Sequence, residues 1–408
     1  MMFHRHKMRI NRIGRLSILV FLYTFAAAVI APVYPLFMKS LTGSDVMVGA
    51  IYGITSFFGL IFCLLSGELM QKYGRAVVLR TATIMLCVCF VVLSAVSSVI
   101  DLLIVEIIRV VMVTSAFLAL GVLVKTVSRK RDLESSEGKF YTFSNLAWLA
   151  APVASGFIFM KYEMNAIFLV AALFTTVAFL SLERTHLKDN RIHGNLNFHY
   201  IRAHVIHKSF LPATYYFGVR TIAREVKNFV KHRNLVLVYF ASFGLYMLFS
   251  TQWIYLPIIL HGFGVSKILI GMMTGALVLP LIFLEIPFTR MSKRISTKRF
   301  IVAGFVIASA AMTMVYFFYS EYMIVALFLA AGVGAAMIEP FKDAYILKHC
   351  PAHKIDVFFG IFKTAQYMGY TVAPIFASIL ILTVGLQAMF LVIGPMLVIF
   401  ALIASRLK

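Results

Sequence analysis

Twelve apolar runs, each long enough to cross a lipid bilayer, constrain this chain more than any other feature. They lie at roughly 16–38, 46–70, 76–97, 101–124, 140–160, 164–182, 234–260, 266–288, 300–319, 322–346, 357–382 and 386–405. An α-helix rises about 1.5 Å per residue, so about 20 apolar residues span a hydrocarbon layer about 30 Å thick. The runs are continuous rather than alternating, which excludes the two-faced strands of a membrane β-barrel. Of 408 residues, 61% are apolar and 13% charged. A soluble domain has about 45–50% and about 25%, so a soluble enzyme, a disordered chain and a coiled coil are excluded. Nine of the eleven prolines fall inside the runs, which membrane helices tolerate because neighbours re-satisfy the freed backbone groups. The expected fold class is an all-α polytopic membrane protein with twelve transmembrane helices. The basic start MMFHRHKMRINRIGR looks like a signal n-region. The run behind it is too long for an h-region and reads as an uncleaved first helix.

Charge then orients the spans. The chain has 38 Lys+Arg against 16 Asp+Glu, a formal +22. With the N terminus in the cytoplasm, the outer connections hold three basic residues: Lys39, Lys161 and Lys267. Arg109 lies deep in the fourth span, and the remaining 34 of 38 fall on the inner side. This positive-inside asymmetry, with an even number of spans, puts both termini in the cytoplasm and the chain in the cytoplasmic (inner) membrane. The basic excess therefore reports orientation and implies no nucleic-acid partner. Cys63, Cys87, Cys89 and Cys350 imply no disulfide framework.

The two halves repeat. Pro35 and Pro257, Pro152 and Pro374, Gly49 and Gly271, and Gly53 and Gly275 are each 222 residues apart. The expected organisation is an N-terminal six-helix bundle (1–182), a basic cytoplasmic linker (183–233) and a C-terminal six-helix bundle (234–408). Internal repeats of this kind build transporters, with the substrate site between the halves. In the linker, residues 214–232 have helical periodicity, with Tyr216, Val219, Ile222, Val226 and Phe229 on one side and Arg220, Arg224, Lys227 and Lys231 off it. Such a helix lies on anionic inner-leaflet lipids or packs on the protein. Six of the eleven histidines are in the linker, without the dense cluster a metal site needs, so no metal and no cofactor are expected.

The first inner turn, after the second span, carries Ser66-Gly67-Glu68-Leu69-Met70-Gln71-Lys72-Tyr73-Gly74-Arg75. This resembles the signature between the second and third helices of the major facilitator superfamily, G-x-L-x-D-[RK]-x-G-R-[RK]. Gly67, Leu69, Lys72, Gly74 and Arg75 match, whereas Gln71 stands at the family's Asp and Ala76 at a frequent Lys or Arg. Glu68 shares a helix face with Gln71, and its pairing with Arg75 is the expected replacement for the lost carboxylate. The fifth span carries Ala147-Trp148-Leu149-Ala150-Ala151-Pro152-Val153-Ala154-Ser155-Gly156, with a twin at 369–378 around Pro374. It is similar to the family's G-x-x-x-G-P-x-x-G-G antiporter motif, with Ala or Ser at most glycines. The resemblance implies a secondary transporter that works by alternating access, and gating roles for these motif positions.

Ionisable groups inside a bilayer are costly and mark function. Glu106 and Arg109 are three residues apart on the fourth span, hence on one helix face, near mid-membrane. Their counterparts at the 222-residue offset are Phe328 and Ala331, so a packing requirement common to both halves does not explain the pair. The superfamily often has a proton-linked Arg in this helix, and only the Arg is carried over. The pair is the expected proton-coupling element. Glu285, Glu339, Asp343 and Lys363 are expected at the inner gate, with Lys363 paired to Asp343 or Glu339. Tyr23, Tyr34, Asn145, Trp148, Gln252, Trp253, Gln366, Tyr367 and Tyr370 are the expected substrate-binding residues, a polar and aromatic set with few charges that suits a neutral, amphipathic or aromatic small organic solute.

No G-x-x-x-x-G-K-[ST] sequence is present, so the chain encodes no direct ATP drive. The reading is a monomeric secondary transporter, not an enzyme, that moves a small-molecule substrate against protons. The proline motif favours efflux by antiport. An ion-coupled importer, a non-transporting sensor and a lipid translocator are the alternatives.

Overall fold

The computed structural model describes residues 2–127, 133–184, 219–291, 295–351 and 355–407. Among them are sixteen α-helices and no strand. We number them α1 (Met2–Val29), α2 (Tyr34–Thr42), α3 (Asp45–Tyr73), α4 (Arg75–Leu93), α5 (Val99–Val127), α6 (Leu133–Lys161), α7 (Met164–Arg184), α8 (Val219–Val230), α9 (Arg233–Gly262), α10 (Lys267–Ala276), α11 (Leu279–Met291), α12 (Thr297–Phe317), α13 (Glu321–Ala336), α14 (Glu339–His349), α15 (Ile355–Val384) and α16 (Phe390–Ala404). Eleven stretches among the described residues are long and apolar enough to cross a bilayer, and α16 is a shorter apolar helix. Linker residues 185–218 lie outside the described residues, as do the side chains of Gly67, Glu68, Gln71 and Lys72.

Three spans differ from the continuous helices expected. The first breaks between α1 and α2, the eighth between α10 and α11, and the tenth between α13 and α14. Each break sits beside a proline: Pro35, Pro280 and Pro340 are the second residues of α2, α11 and α14. Proline lacks the N–H that continues an inner turn but suits the first turn of a new helix. At the first break the chain closes with Val33 N–H to Ile30 O at 3.1 Å and Tyr34 N–H to Ile30 O at 2.8 Å. Pro152, Pro257 and Pro374, by contrast, lie inside unbroken helices. The turn after the second span depends on Gly74, whose φ of 90° lies where a side chain would be strained.

α1 packs on α5, α6 and α7, and α4 on α5 and α7; α12 packs on α13 and α16, and α9 on α15 and α16. The most extensive contacts between these groups run α3 along α15 and α6 along α10. The residues related by 222 positions meet at these crossings. A Cβ on Gly49 would lie 2.6 Å from the Pro374 carbonyl oxygen, and one on Gly271 would strike the Pro152 carbonyl oxygen and lie 2.8 Å from Gly156 Cα. Ser378 Oγ ties the first crossing by donating to Val46 O at 2.8 Å. Both crossings lie in the half of the membrane next to the basic-poor connections 43–44, 162–163 and 263–266. Only glycine lets the backbones approach this closely.

α8 lies at the foot of α9. Phe229 is buried, with ring centroids 6.2 Å from Tyr239 and 5.4 Å from Phe358. Val226 and Val230 are exposed, and so are Arg224 and Lys227. Phe229→Ala is expected to release α8 from α9 and α15, seen as faster amide exchange over 219–230 with the transmembrane helices unchanged.

Candidate functional site

The break in the first span places Tyr34 at the start of α2, against the middle of α5. There Arg109 holds Glu106 with two parallel hydrogen bonds, Nε to Oε2 and Nη2 to Oε1, both 2.6 Å. The Tyr34 hydroxyl donates to the same Glu106 Oε2. The guanidinium carbon stands 5.0 Å from the Tyr34 ring centroid, and Tyr52 packs edge-on to Tyr34 at 5.9 Å. The Glu106 side chain is 1% exposed and Arg109 11%. The fork geometry satisfies both carboxylate oxygens, and the tyrosine adds a third donor. Tyr34, one of the expected substrate residues, is bound into this cluster.

A second ionic cluster joins spans seven, eight, ten and eleven. Lys363 Nζ reaches both oxygens of Asp343 at 3.2 Å, and Lys342 Nζ reaches Asp343 Oδ1 at 3.3 Å. Lys342 is 1% exposed. Its ammonium lies 5.3 Å from the Tyr246 ring centroid and 6.0 Å from that of Phe362, while Lys363 lies 4.9 Å from Phe359. Glu339 and Glu285 are within electrostatic reach of each other, of Lys342 and of Asp343. The structure thus brings Lys363 to Asp343 rather than to Glu339. Lys342 was not singled out from the sequence. Its sequence signal is a lysine inside an apolar run, between Phe341 and Asp343.

The two tryptophans of the chain, Trp148 on α6 and Trp253 on α9, meet across the halves with ring centroids 4.6 Å apart. Each precedes a helix-interior proline by four residues, Pro152 and Pro257, so each stands at the carbonyl that proline deprives of its partner and bends away. Tyr370 has the same relation to Pro374 and stacks near Tyr246 at 5.7 Å. Tyr367 reaches the other half, hydrogen-bonding Thr114 and packing on the Gly59 backbone. Gln252 is buried and donates to Phe328 O at 2.8 Å, and Tyr23 hydrogen-bonds Thr83. Both are thus engaged within their own half. Asn145 and Gln366 are half-buried. Trp148→Phe is expected to leave Trp253 as the single tryptophan of the chain, its emission maximum reporting the environment of α9 at this crossing.

The sequence profile of the Major Facilitator Superfamily matches residues 16–236 and 238–408. The chain belongs to the major facilitator superfamily. A curated relative, an uncharacterized MFS-type transporter of Methanocaldococcus jannaschii, is 29% identical over 148 residues, 36% of this chain. The match spans 37% of that relative's length. A crystal structure of a POT family transporter in complex with 5-aminolevulinic acid superposes with a TM-score of 0.75, at 13% identity over 96% of this chain and 94% of that one. A bacterial homolog of the human lysosomal transporter Spinster, in an inward-facing and unoccupied conformation, gives 0.76 at 13% identity, over 98% and 97%. At these identities the likeness is one of fold. The fold and the family together make this superfamily member a multi-pass membrane transporter.

Proposed function

We propose that this chain exchanges a small organic solute for protons across the cytoplasmic membrane by alternating access, with Glu106 carrying the coupling proton. The observation that carries the reading is the withdrawn Glu106–Arg109–Tyr34 cluster, a buried carboxylate whose protonation changes the charge of a mid-membrane site. A proton added to Glu106 removes the negative charge that both Arg109 bonds rely on and turns one carboxylate oxygen from acceptor to donor. The guanidinium stays charged, because arginine does not deprotonate, and must find another acceptor. A substrate group, or a rearrangement of α5 against α2, supplies it, and the two conformations then differ in proton affinity. That differential affinity lets a pH gradient drive an alternation between states. The crossings at Gly49 and Gly271 close the basic-poor side, which the positive-inside rule makes the outer side.

The proline motif of the fifth span supports export rather than import. The exposed basic residues of α8, beside a hydrophobic anchor at Phe229, support contact with anionic headgroups of the inner leaflet. Substituting Arg224, Lys227 and Lys231 together by Glu is expected to abolish the rise in melting temperature produced by phosphatidylglycerol, with little change in neutral detergent.

The test is flux in proteoliposomes, with solutes chosen by their ability to raise the melting temperature of the purified protein. A translocated solute is expected to dissipate an imposed pH gradient, read by a trapped pH dye. Glu106→Gln is expected to uncouple this, retaining solute counterflow but moving no protons. Gradient dependence retained in both Glu106→Gln and Arg109→Ala overturns the reading.

A further inference from the structure

The charge balance of the second cluster is incomplete. Three carboxylates (Glu285, Glu339, Asp343) face two ammonium groups (Lys342, Lys363). Asp343 is shared by both lysines. Glu339 is half-buried, and its Oε2 is buried with no hydrogen-bond partner among the described residues. In a low-dielectric interior an unpaired carboxylate acquires either a proton or a positive partner. The site is also lined for cations. Tyr246 and Phe362 already lie near the Lys342 ammonium, and Tyr246 and Tyr370 are in electrostatic contact with Glu339. These rings lead to the interface between the halves, where Tyr367 touches Gly59. Nothing in the repeat imposes this arrangement: the positions 222 residues before Glu339, Lys342 and Asp343 are Phe117, Leu120 and Gly121.

We infer that this cluster is a recognition site for a protonated amine with an apolar or aromatic body, in which the ammonium hydrogen-bonds Glu339 and completes the charge balance. A proton on Glu339 is the alternative occupant, so the two compete. Facing Glu339 are Tyr246 from α9, Glu285 from α11, Lys342 and Asp343 from α14, and Lys363 and Tyr370 from α15. The lysines, held by Asp343, keep anions from being the preferred ligand only while that pairing persists. The inference rests on the transporter reading above, because it names the class of solute that would be moved.

The test is equilibrium binding to the full purified chain with three probes of one shape: 2-phenylethylamine, 2-phenylethanol and 3-phenylpropanoate. Thermal shift and the fluorescence of Trp148 and Trp253 are the readouts. The amine is expected to bind and the alcohol and the acid not to. Amine affinity is expected to rise with pH as the competing proton leaves. Glu339→Gln, which mimics the protonated form, is expected to weaken binding by about 10- to 100-fold, the size of a lost charge-assisted hydrogen bond, and to flatten the pH dependence. Glu339→Asp is expected to keep a weakened, pH-dependent affinity. Equal binding of the alcohol, stronger binding of the acid, no binding of any probe, or unchanged affinity in Glu339→Gln overturns the inference. Binding needs no gradient, so it is separable from transport. If the amine fails to bind while another solute still dissipates a pH gradient with the unaltered chain, the substrate class falls and the transporter reading stands.

Discussion

Arg109→Ala is expected to destabilise the folded protein by about 3–5 kcal/mol, the loss seen when one member of a buried ion pair is removed. The physical reason is what remains: Glu106, fully buried, keeps only the Tyr34 hydroxyl as a donor. The second substitution Glu106→Gln removes the stranded charge, so the double variant Glu106→Gln/Arg109→Ala is expected to recover most of the lost stability. Tyr34→Phe deletes one neutral donor to a charged acceptor and is expected to cost about 1.5–3 kcal/mol. The measurement is a melting series in one detergent, arranged as a double-mutant cycle over positions 106 and 109. Identical melting of Arg109→Ala and the double variant would mean that Arg109 contributes packing rather than charge. The recovered double variant also separates folding from function, since it is expected to be stable and uncoupled from protons.

This cluster shows how far the sequence carries. The i,i+3 spacing of Glu106 and Arg109 within an apolar run is a local pattern, readable because a helix fixes which neighbours share a face. The twelve runs and the offset of 222 residues were readable for the same reason, and the offset has a tertiary meaning: Gly49 meets Pro374 and Gly271 meets Pro152. The contact of Tyr34 with Glu106 depends on the break before Pro35. Hydropathy does not register that break, since the run stays apolar through it. Trp148 and Trp253 are 105 residues apart, and no local pattern pairs them. Lys342 was hidden by its neighbourhood, where a lysine near a helix end usually reaches water along its own stem. Here Asp343 and two aromatic rings retain it at 1% exposure. That Glu339 Oε2 is buried with no hydrogen-bond partner among the described residues is likewise a tertiary fact that spacing alone does not reveal.

Gly271→Leu is expected to shift the molecule toward a state open on the basic-poor side. The position of a Cβ there is already taken by the Pro152 carbonyl oxygen and by Gly156, both backbone, so no side chain can swing away. Either the α6–α10 crossing separates or the helices distort. Overpacking of this kind costs about 1–3 kcal/mol, which moves a two-state equilibrium by about 5- to 150-fold. Gly49→Leu is expected to act in the same sense at the α3–α15 crossing, where it also displaces the Ser378 bond to Val46 O. Spin labels at Tyr162 and Phe263, both exposed on that side, measure the result as a longer inter-label distance. The control is Gly262→Ala, where an added Cβ meets nothing within 4 Å and the distance distribution should not move. If both leucine variants keep the short distance and melt like the parent chain, the crossings do not seal that side. If they keep it but melt far lower, the two crossings are fixed packing that alternation does not open, and access to the central cluster must come by a different separation of the halves.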